Sequence, residues 1–372
     1  MKTERVILVS PSIFGRDAVG TALRHTYEAL ENDSRFDVEI ICRRSELDIP
    51  ASRVDGVADL LIHPSFLAAD IIIYFFAIYS PLFDAALVGN GRARQIVRFH
   101  NITPIEFSRS ENEEVIKNSF RQLTNFAECD DIWCDSEENR CTLLEYGLPA
   151  DRISVVPLST SRLDRAALAG KAHGRFELIY VGRFVQSKGI LRMLEEISFS
   201  RTLIPEPFRL RMVGNAKLSD PDYVEKIHKA INHLGLTDAV EVHNDVPDGL
   251  LSELYGQCHI LVSGSYHEGF GMPVIEALAA GCIPLTYANS NLRFVASGLG
   301  RAVQEDQPHA FAEALAGVIQ GLSNAYLDWG AEVLPLDVGM TSLATFDRAA
   351  AAYTANFSFK TFSKRITDRL VR

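Results

Sequence analysis

The sequence has few of the features that mark secreted, membrane-spanning or nucleic-acid-binding proteins. Its six cysteines contain no C-x-x-C pair and no metal-type spacing with histidine, which argues against a disulfide framework and a zinc module. The most apolar run, Ile71 to Tyr79, is well short of the roughly 20 residues that a membrane-spanning helix needs. The apolar run in MKTERVILVSPS is too short for the core of a signal peptide. A formal net charge of −11 leaves no basic field to attract nucleic acid.

These absences predict a cytoplasmic protein that binds no nucleic acid and has no transmembrane segment, with peripheral contact at the inner face of the membrane left open. Two nucleotide-binding signatures are also missing, G-x-G-x-x-G and G-x-x-x-x-G-K-[ST], which weighs against a dehydrogenase, a kinase or an ATPase. Asp220-Pro221-Asp222 spells a metal-binding D-x-D, but it precedes a predicted helix for which Asp222 would be an N-cap. We therefore expect no metal and no cofactor.

The order of the predicted elements indicates two domains of the α/β class. With 372 residues the chain is long enough for two cores, and short β-branched runs alternate with helical patterns, as in parallel sheets. The pattern restarts after a connection at Pro157–Gly174. Two such domains in series predict a ligand cleft between them, at the carboxyl ends of the strands. The amphipathic segment from Phe357 to Arg372 is predicted to pack back onto the first domain.

One loop carries the most specific chemical signal, in the stretch HEGFGMPVIEALAAGCIPL. A predicted strand, His259–Val262, leads through this loop into a helix that begins near Pro273, and Glu268 and Glu276 stand on either side of the helix start. Free amides at a helix start favour an anion, and glycines allow its close approach. The two carboxylates would then accept hydrogen bonds from hydroxyls at opposite ends of the ligand, as in a sugar nucleotide. A structural loop with an acid that favours the helix dipole is the alternative.

The segment Glu268 to Glu276 resembles the E-x7-E signature of family GT4, the retaining glycosyltransferases with the GT-B fold, and Ala277 to Leu285 is similar to how that family continues. The resemblance implies two Rossmann-like parallel-sheet domains that face each other across a cleft. Residues 1–160 would be the acceptor-binding domain, joined by the C-terminal helix at 357–372, and residues 161–356 would bind the nucleotide-sugar donor. It also implies donor contacts from the loop residues Glu268, Gly269, Phe270, Gly271, Met272, Pro273 and Glu276.

Other segments are similar to the same family. Arg183 and Lys188 follow a predicted strand and resemble the pair that holds the donor diphosphate, although a solvated loop is the ordinary interpretation. Val213-Gly214-Asn215 resembles the glycine turn near the nucleotide base. Ser136 resembles the family's serine after a strand and reads physically as a helix N-cap.

His100, in the segment HNITP, occupies the place where the family's histidine contacts the donor sugar, and a structural histidine is the alternative. The HNITP spelling resembles a subgroup of bacterial polysaccharide and antibiotic glycosyltransferases. The first strand-to-helix loop departs from the family's usual Gly-Gly pair: single glycines, Gly15 and Gly20, are the candidates for contacts with the acceptor.

The resemblance thus implies a metal-independent hexosyltransferase whose candidate catalytic residues are His100, Glu268, Arg183 and Lys188. The donor would be GDP-mannose, with UDP- and dTDP-sugars as alternatives, and the acceptor a glycan, a lipid-linked molecule or a small molecule in bacterial polysaccharide or glycoconjugate synthesis. Front-face attack, with the leaving phosphate taking the acceptor's proton, is implied in place of a carboxylate nucleophile. Two rival functions are a sugar-nucleotide epimerase of the same fold and a non-catalytic sugar-nucleotide-binding protein.

Overall fold

The computed structural model describes residues 3–15, 17–108, 110–160, 165–172 and 174–371. The chain forms two compact units: unit 1 comprises Met1–Ser159 with Phe357–Arg372, and unit 2 comprises Thr160–Asn356. Part of the predicted connection Pro157–Gly174, namely positions 161–164 and 173, lies outside the described residues.

Unit 1 is a parallel sheet with helices on both faces. Its strands are β1 Glu4–Ile13, β2 Phe36–Ser45, β3 Ala51–Arg53, β4 Ile71–Phe76, β5 Arg94–Phe99, β6 Asp131–Cys134 and β7 Ile153–Val155. Its helices up to β7 are α1 Ala18–Glu31, α2 Val57–Ile62, α3 Pro64–Ala68, α4 Glu113–Gln122 and α5 Glu137–Glu145. The strand order is β3-β2-β1-β4-β5-β6-β7. The first six residues of the apolar run that is too short for a membrane helix form β4, which is buried along its whole length in mid-sheet.

The two faces of this sheet differ in character. Tyr74, Phe76 and Phe99 belong to an apolar core on one face. Because side chains alternate along a strand, Phe75 and Arg98 point to the opposite face, and the parallel register sets them side by side. Arg98 is therefore a charged side chain buried on the second face of the sheet, where it needs polar partners.

Unit 2 repeats the architecture with its own parallel sheet. Its strands are β8 Phe176–Val181, β9 Phe208–Gly214, β10 Val240–Asn244, β11 Ile260–Ser263, β12 Ile283–Tyr287, β13 Arg301–Val303, β14 Leu334–Leu336 and β15 Gly339–Thr341. Its helices are α6 Ile190–Ser200, α7 Pro221–His233, α8 Asp248–Gln257, α9 Met272–Ala279, α10 Leu292–Val295, α11 Ala310–Leu327 and α12 Leu343–Thr354. The parallel sheet runs β10-β9-β8-β11-β12-β13, and β14 and β15 form a separate antiparallel pair.

The chain returns to unit 1 through a last helix, α13 Phe359–Leu370, whose N-cap Ser358 accepts a hydrogen bond from the backbone N–H of Thr361. Its buried face includes Phe362 and Ile366. Arg94 on β5 donates to the carbonyl oxygen of Arg369 at 3.0 Å. The amphipathic segment thus packs on the first unit, as the sequence predicts.

Two local predictions need correction. The N-cap of α7 is Asp220 and not Asp222, since the Asp220 side chain accepts from the backbone N–H groups of Asp222 and Tyr223. Pro221 explains the shift, because proline favours the first helical position and moves the cap one residue before it. The sequence pattern also predicts a helix over Glu113–Glu128, but the α-helix ends at Gln122 and is followed by a 3₁₀ turn over Leu123–Phe126.

All six cysteines are unpaired thiols, and Cys141 alone of them is exposed. Within the part of the chain that the structure describes, no helix has both the length and the apolar character needed to cross a membrane.

Candidate functional site

The loop between β11 and α9 has the geometry of a helix start prepared for a ligand. Gly271 adopts a left-handed conformation, with φ of 89°, immediately before Met272 opens the helix. Pro273 is the second helical residue, where its missing N–H leaves no hydrogen bond unmade. A Cβ at position 271 would be 3.2 Å from Val295 Cγ1, so glycine fits both the backbone and the space. Glu276 lies one turn further along α9.

Lys188 and Glu268 are brought together although they are far apart in the chain. Their side chains form an ion pair, and both are mostly buried, with 15% and 19% of their side-chain surface exposed. Lys188 ends a 3₁₀ turn, Gln186–Lys188, which Gly189 closes in the left-handed conformation. This turn packs closely on the β11–α9 loop, since a Cβ on Gly189 would lie 2.0 Å from the carbonyl oxygen of Gly264. The predicted diphosphate lysine and the predicted sugar-binding glutamate are therefore direct neighbours.

The glutamate loop is held from the other side by residues that follow β12. Ser290 Oγ accepts a hydrogen bond of 2.9 Å from the backbone N–H of Glu268. Asn291 Nδ2 donates to the carbonyl oxygen of Phe270 at 2.5 Å. No local pattern marks these two positions, since each lies more than 20 residues from its partner. They fix the backbone from which Glu268 projects.

Glu276 has a buried partner that the sequence analysis also missed. The Tyr255 hydroxyl donates to Glu276 Oε2 at 3.1 Å, and the Tyr255 side chain is fully buried. Burial, and next the carboxylate of Glu276, raise the pKa of Tyr255 well above its ordinary value, so the phenol keeps its proton and acts as the donor. One oxygen of the carboxylate is thereby fixed by the protein.

Arg183 lies in the loop after β8, where its side chain is exposed. Its carbonyl oxygen accepts from the Tyr180 hydroxyl at 3.1 Å, which anchors the backbone and leaves the guanidinium in solvent. Gly214, at the end of β9, faces the Phe184 ring, which an added Cβ would meet at 2.6 Å. Packing therefore explains this glycine without a ligand.

His100 follows β5 in unit 1 and is buried. Its Nδ1 lies 2.8 Å from Asp135 Oδ2, and Arg98 Nη2 donates to Asp135 Oδ1 at 2.7 Å. Burial would raise the pKa of Asp135, but its contacts with His100 and Arg98 outweigh it and hold that pKa below its ordinary value. Ser136, next in sequence, caps α5 by accepting from the backbone N–H of Asn139, which confirms its predicted structural role.

The two candidate glycines of the first loop differ. A Cβ on Gly20, in the first turn of α1, would lie 1.7 Å from the carbonyl oxygen of Phe14, whereas Gly15 would meet only a leucine side-chain end at 3.4 Å. Gly20 thus has a packing reason to be glycine, and contact of either residue with an acceptor stays a prediction. Among the described residues, no cluster of three histidine, cysteine or acidic side chains could hold a metal ion.

Comparison with known proteins finds a family match in unit 2, over the segment that contains the candidate site loops. Residues 165–329 match the family model described as glycosyl transferases group 1. The match spans less than half of the chain. The matched segment contains Arg183, Lys188, Gly214 and the whole glutamate loop, which confirms the recognition of a GT4-type glycosyltransferase segment. The HNITP motif lies outside that segment, so the subgroup that it indicates stays a prediction.

Relatives of known activity match about half of the chain. A GDP-mannose:cellobiosyl-diphosphopolyprenol alpha-mannosyltransferase of Xanthomonas campestris is 30% identical over 183 residues, which is 48% of this chain and 47% of that protein. A D-inositol 3-phosphate glycosyltransferase of Streptomyces griseus is 26% identical over 226 residues, or 54% and 47%. The chain thus spans about half the length of the curated relatives that it matches.

Solved structures match over nearly the whole chain. Sucrose-phosphate synthase from Thermosynechococcus elongatus has a TM-score of 0.72 at 18% identity and covers 99% of this chain and 98% of its own. Anabaena Alr3699/HepE, in complex with UDP and glucose, has a TM-score of 0.73 at 15% identity, with 99% of each chain covered. At such low identity these likenesses establish the fold, and they confirm the GT-B fold class predicted from the E-x7-E segment.

Proposed function

We propose that this protein is a retaining glycosyltransferase that moves a hexose from a nucleotide diphosphate sugar to an acceptor without a metal ion. The observation that carries the proposal is the contact between Lys188 and Glu268, two residues that the sequence assigned separately to the diphosphate and to the transferred sugar. Opposite charges attract in any loop, but these two side chains are mostly buried and come from separate loops. In a donor site, the diphosphate and the sugar are adjacent parts of one ligand, and their binding residues must be adjacent too.

Cations and amides of unit 2 would stabilise the leaving group. Arg183 is exposed and Lys188 is mostly buried, so the guanidinium could grip phosphate oxygens while the ammonium acts as a fixed point charge. The backbone amides around Gly269–Pro273 would add hydrogen bonds and the positive end of the helix dipole. Charge that is in place before the bond breaks is an effective form of catalysis for a departing diphosphate.

Carboxylates would recognise the hydroxyls at the two ends of the donor. Glu276 has one oxygen held by Tyr255, which leaves the carboxylate oriented to accept from the ribose hydroxyls. Glu268 would exchange its contact with Lys188 for hydroxyls of the transferred sugar. His100, which belongs to unit 1, would contact that same sugar, and the leaving phosphate would take the acceptor's proton.

The identity of the donor is a separate part of the proposal. The name of the Xanthomonas relative includes GDP-mannose, and the HepE structure is of a complex with UDP and glucose. GDP-mannose is our first candidate because that relative has the higher sequence identity. The acceptor would be a glycan, a lipid-linked molecule or a small molecule in bacterial polysaccharide or glycoconjugate synthesis.

A donor screen tests the proposal directly. Melting temperatures would be recorded with GDP-, UDP- and dTDP-sugars, since a ligand that binds the folded state raises the melting temperature. Arg183→Ala and Glu276→Ala should each weaken the binding of the best donor at least about tenfold, as expected for losing a charge-assisted hydrogen bond. Arg201→Ala and Glu225→Ala are matched controls, because both side chains form exposed ion pairs elsewhere in unit 2.

The outcomes separate the rival functions. Unchanged donor affinity in both site variants would contradict the assignment of the site. Conversion of the donor sugar to an epimer without an acceptor would indicate an epimerase of the same fold. Donor binding with no transfer to any tested glycan or lipid-linked acceptor, and no donor turnover, would indicate a sugar-nucleotide-binding protein.

A further inference from the structure

His100, Asp135 and Arg98 form a chain of contacts that is closed to solvent. Each of the three side chains has 1% of its surface exposed. Asp135 gives one carboxylate oxygen to Arg98 Nη2 at 2.7 Å and the other to His100 Nδ1 at 2.8 Å. Arg98 Nη2 also donates to the carbonyl oxygen of Val156 at 2.6 Å. A buried carboxylate bound at both ends is a fixed structure, because displacing either partner would leave a charge uncompensated.

The register of the sheet explains why these side chains meet. β5 and β6 are parallel neighbours in which Phe99 pairs with Cys134. The residues that follow these two strands, His100 and Asp135, therefore lie at the same edge of the sheet. The backbone N–H of His100 still donates to the carbonyl oxygen of Phe76 at 2.9 Å, which keeps the residue in line with the sheet. The imidazole stacks on Phe75 with ring centroids 5.8 Å apart. The ring is therefore held in its plane and at one nitrogen.

The ionisation of Asp135 decides which nitrogen of the ring carries the proton. A carboxylate with a lowered pKa only accepts hydrogen bonds, so Nδ1 of His100 must be the donor. Arg98 supplies a positive charge to Asp135 independently of the ring. The neutral tautomer with the proton on Nδ1 presents a lone pair at Nε2.

Nε2 of His100 is buried and, among the described residues, has no hydrogen-bond partner. Buried polar atoms are normally paired, and an unpaired one calls for an explanation such as a ligand. A lone pair accepts, so the missing partner is a donor. A sugar hydroxyl has that chemistry, whereas a phosphate or a carbonyl does not.

We propose that Asp135 is a positioning residue, which fixes His100 with its proton on Nδ1 so that Nε2 accepts a hydrogen bond from a hydroxyl of the transferred sugar. Arg98 keeps Asp135 in place and balances its charge. This inference rests on the proposed glycosyl transfer and adds two residues to it. A purely structural ion pair would hold the strands together equally well, but it would not depend on the tautomer of His100.

The tautomer is measurable in the unmodified protein. With ¹⁵N-labelled histidine and the His100 signal identified by its loss in His100→Gln, the nitrogen shifts should report a protonated Nδ1 and an unprotonated Nε2. A protonated Nε2, in either a neutral or a charged ring, would overturn the proposal. This measurement needs no Asp135 variant and no enzyme activity, so it is decided separately from the proposed function.

Kinetics test the consequence for transfer. Asp135→Asn keeps the shape but can donate to Nδ1 and so favours the other tautomer, and kcat should fall about 10- to 100-fold, as when an oriented histidine loses its carboxylate partner. Asp131→Asn is the matched control, since Asp131 lies at the opposite end of β6 and also pairs with an arginine, Arg94. Equal kcat in the two variants would contradict the proposal.

A double variant guards against a folding effect. In a His100→Ala background, Asp135→Asn should lower kcat by less than twofold, because residues that act as a unit are not additive in their effects. The same large loss with and without His100 would mean that Asp135 acts through the fold alone and would overturn the proposal.

Discussion

Lys188 and Glu268, 80 positions apart in the sequence, form an ion pair with each other. The pair keeps Lys188 from adopting other positions, and it also competes with any phosphate for the ammonium. Binding of a donor must therefore exchange one interaction for two: phosphate replaces the carboxylate at Lys188, and hydroxyls replace the ammonium at Glu268.

Glu268→Gln should separate these two effects. Without the competing charge, affinity for the bare nucleoside diphosphate should rise about twofold to fivefold, the size of a partly exposed ion pair. Sugar transfer should fall about 10- to 100-fold, because a charged acceptor of hydroxyl groups is lost. Calorimetric titration and initial rates measure the two quantities, with Glu225→Gln as the control. A fall in diphosphate affinity would show that the pair supports phosphate binding and does not compete with it.

Tyr255→Phe should weaken recognition of the ribose without altering the fold. The substitution removes only the hydroxyl that donates to Glu276. Affinity for the nucleoside diphosphate should fall about tenfold, while affinity for its 2′,3′-dideoxy analogue should be unchanged. Tyr74→Phe is the control, since its buried hydroxyl bonds to Gln95 in unit 1. Equal losses for both ligands would mean that Glu276 does not act on the ribose.

Gly189→Ala should damage both stability and donor binding. The residue has φ of 57°, and a Cβ would lie 2.0 Å from the carbonyl oxygen of Gly264. Gly235→Ala is a matched control, with φ of 65° and open space around it, so it carries the backbone strain without the clash. The control should cost about 1 kcal/mol of unfolding free energy in urea titration and leave donor affinity intact. Gly189→Ala should cost more than the control and displace Lys188, and a result equal to the control would refute the close packing of the two loops.

Acidification should destabilise the protein through His259. Burial, and next the charge of Lys171, lower the pKa of His259 to about 4. Both ring nitrogens are used in the neutral form, since Nε2 donates to the carbonyl oxygen of Ala172 and Nδ1 accepts from the backbone N–H of Glu177. The unfolded chain binds this proton near pH 6.5, so the contribution is complete above that pH and is lost as the pH falls toward 4.

Between pH 7 and pH 5 the loss from His259 should be about 2 kcal/mol. Urea unfolding at the two pH values measures it. In His259→Gln this part of the pH dependence should disappear, whereas His233→Gln, an exposed residue of α7, should retain it. Identical pH dependence in the two variants would contradict the assignment.

The sequence was informative where structure depends on local pattern. Helix α1 has the predicted bounds, Ala18–Glu31, because Asp17 caps it and its apolar spacing is regular. The three-residue strands Ala51–Arg53 and Arg301–Val303 were missed, since such short segments at the edge of a sheet have too few residues to show a period. These strands form by pairing with a neighbouring strand, and the local sequence does not show which strand that is.

The same limit applies to the site. Motif spacing identified Glu268, Glu276, Arg183 and Lys188, since it is a property of consecutive residues. Tyr255 and Asp135 were not recognised, because each acts on a residue 21 or 35 positions away through the sheet or its loops. At this strand end the sequence analysis considered only Ser136, as a helix cap. The contact with His100 is made by the preceding residue, Asp135.

The return of α13 to unit 1 has a consequence for how the molecule is made. A ribosome completes β1 to β7 early, but the helix that covers one face of their sheet emerges only after the whole of unit 2. The Arg98 guanidinium lies 5.9 Å from the Phe362 ring centroid, and this contact cannot form until unit 2 has been synthesised. Unit 2 is a continuous segment and could be produced alone, whereas unit 1 would need residues 357–371 grafted after Ser159 or supplied as a separate peptide. Unit 1 is thus translated before unit 2 but completed after it.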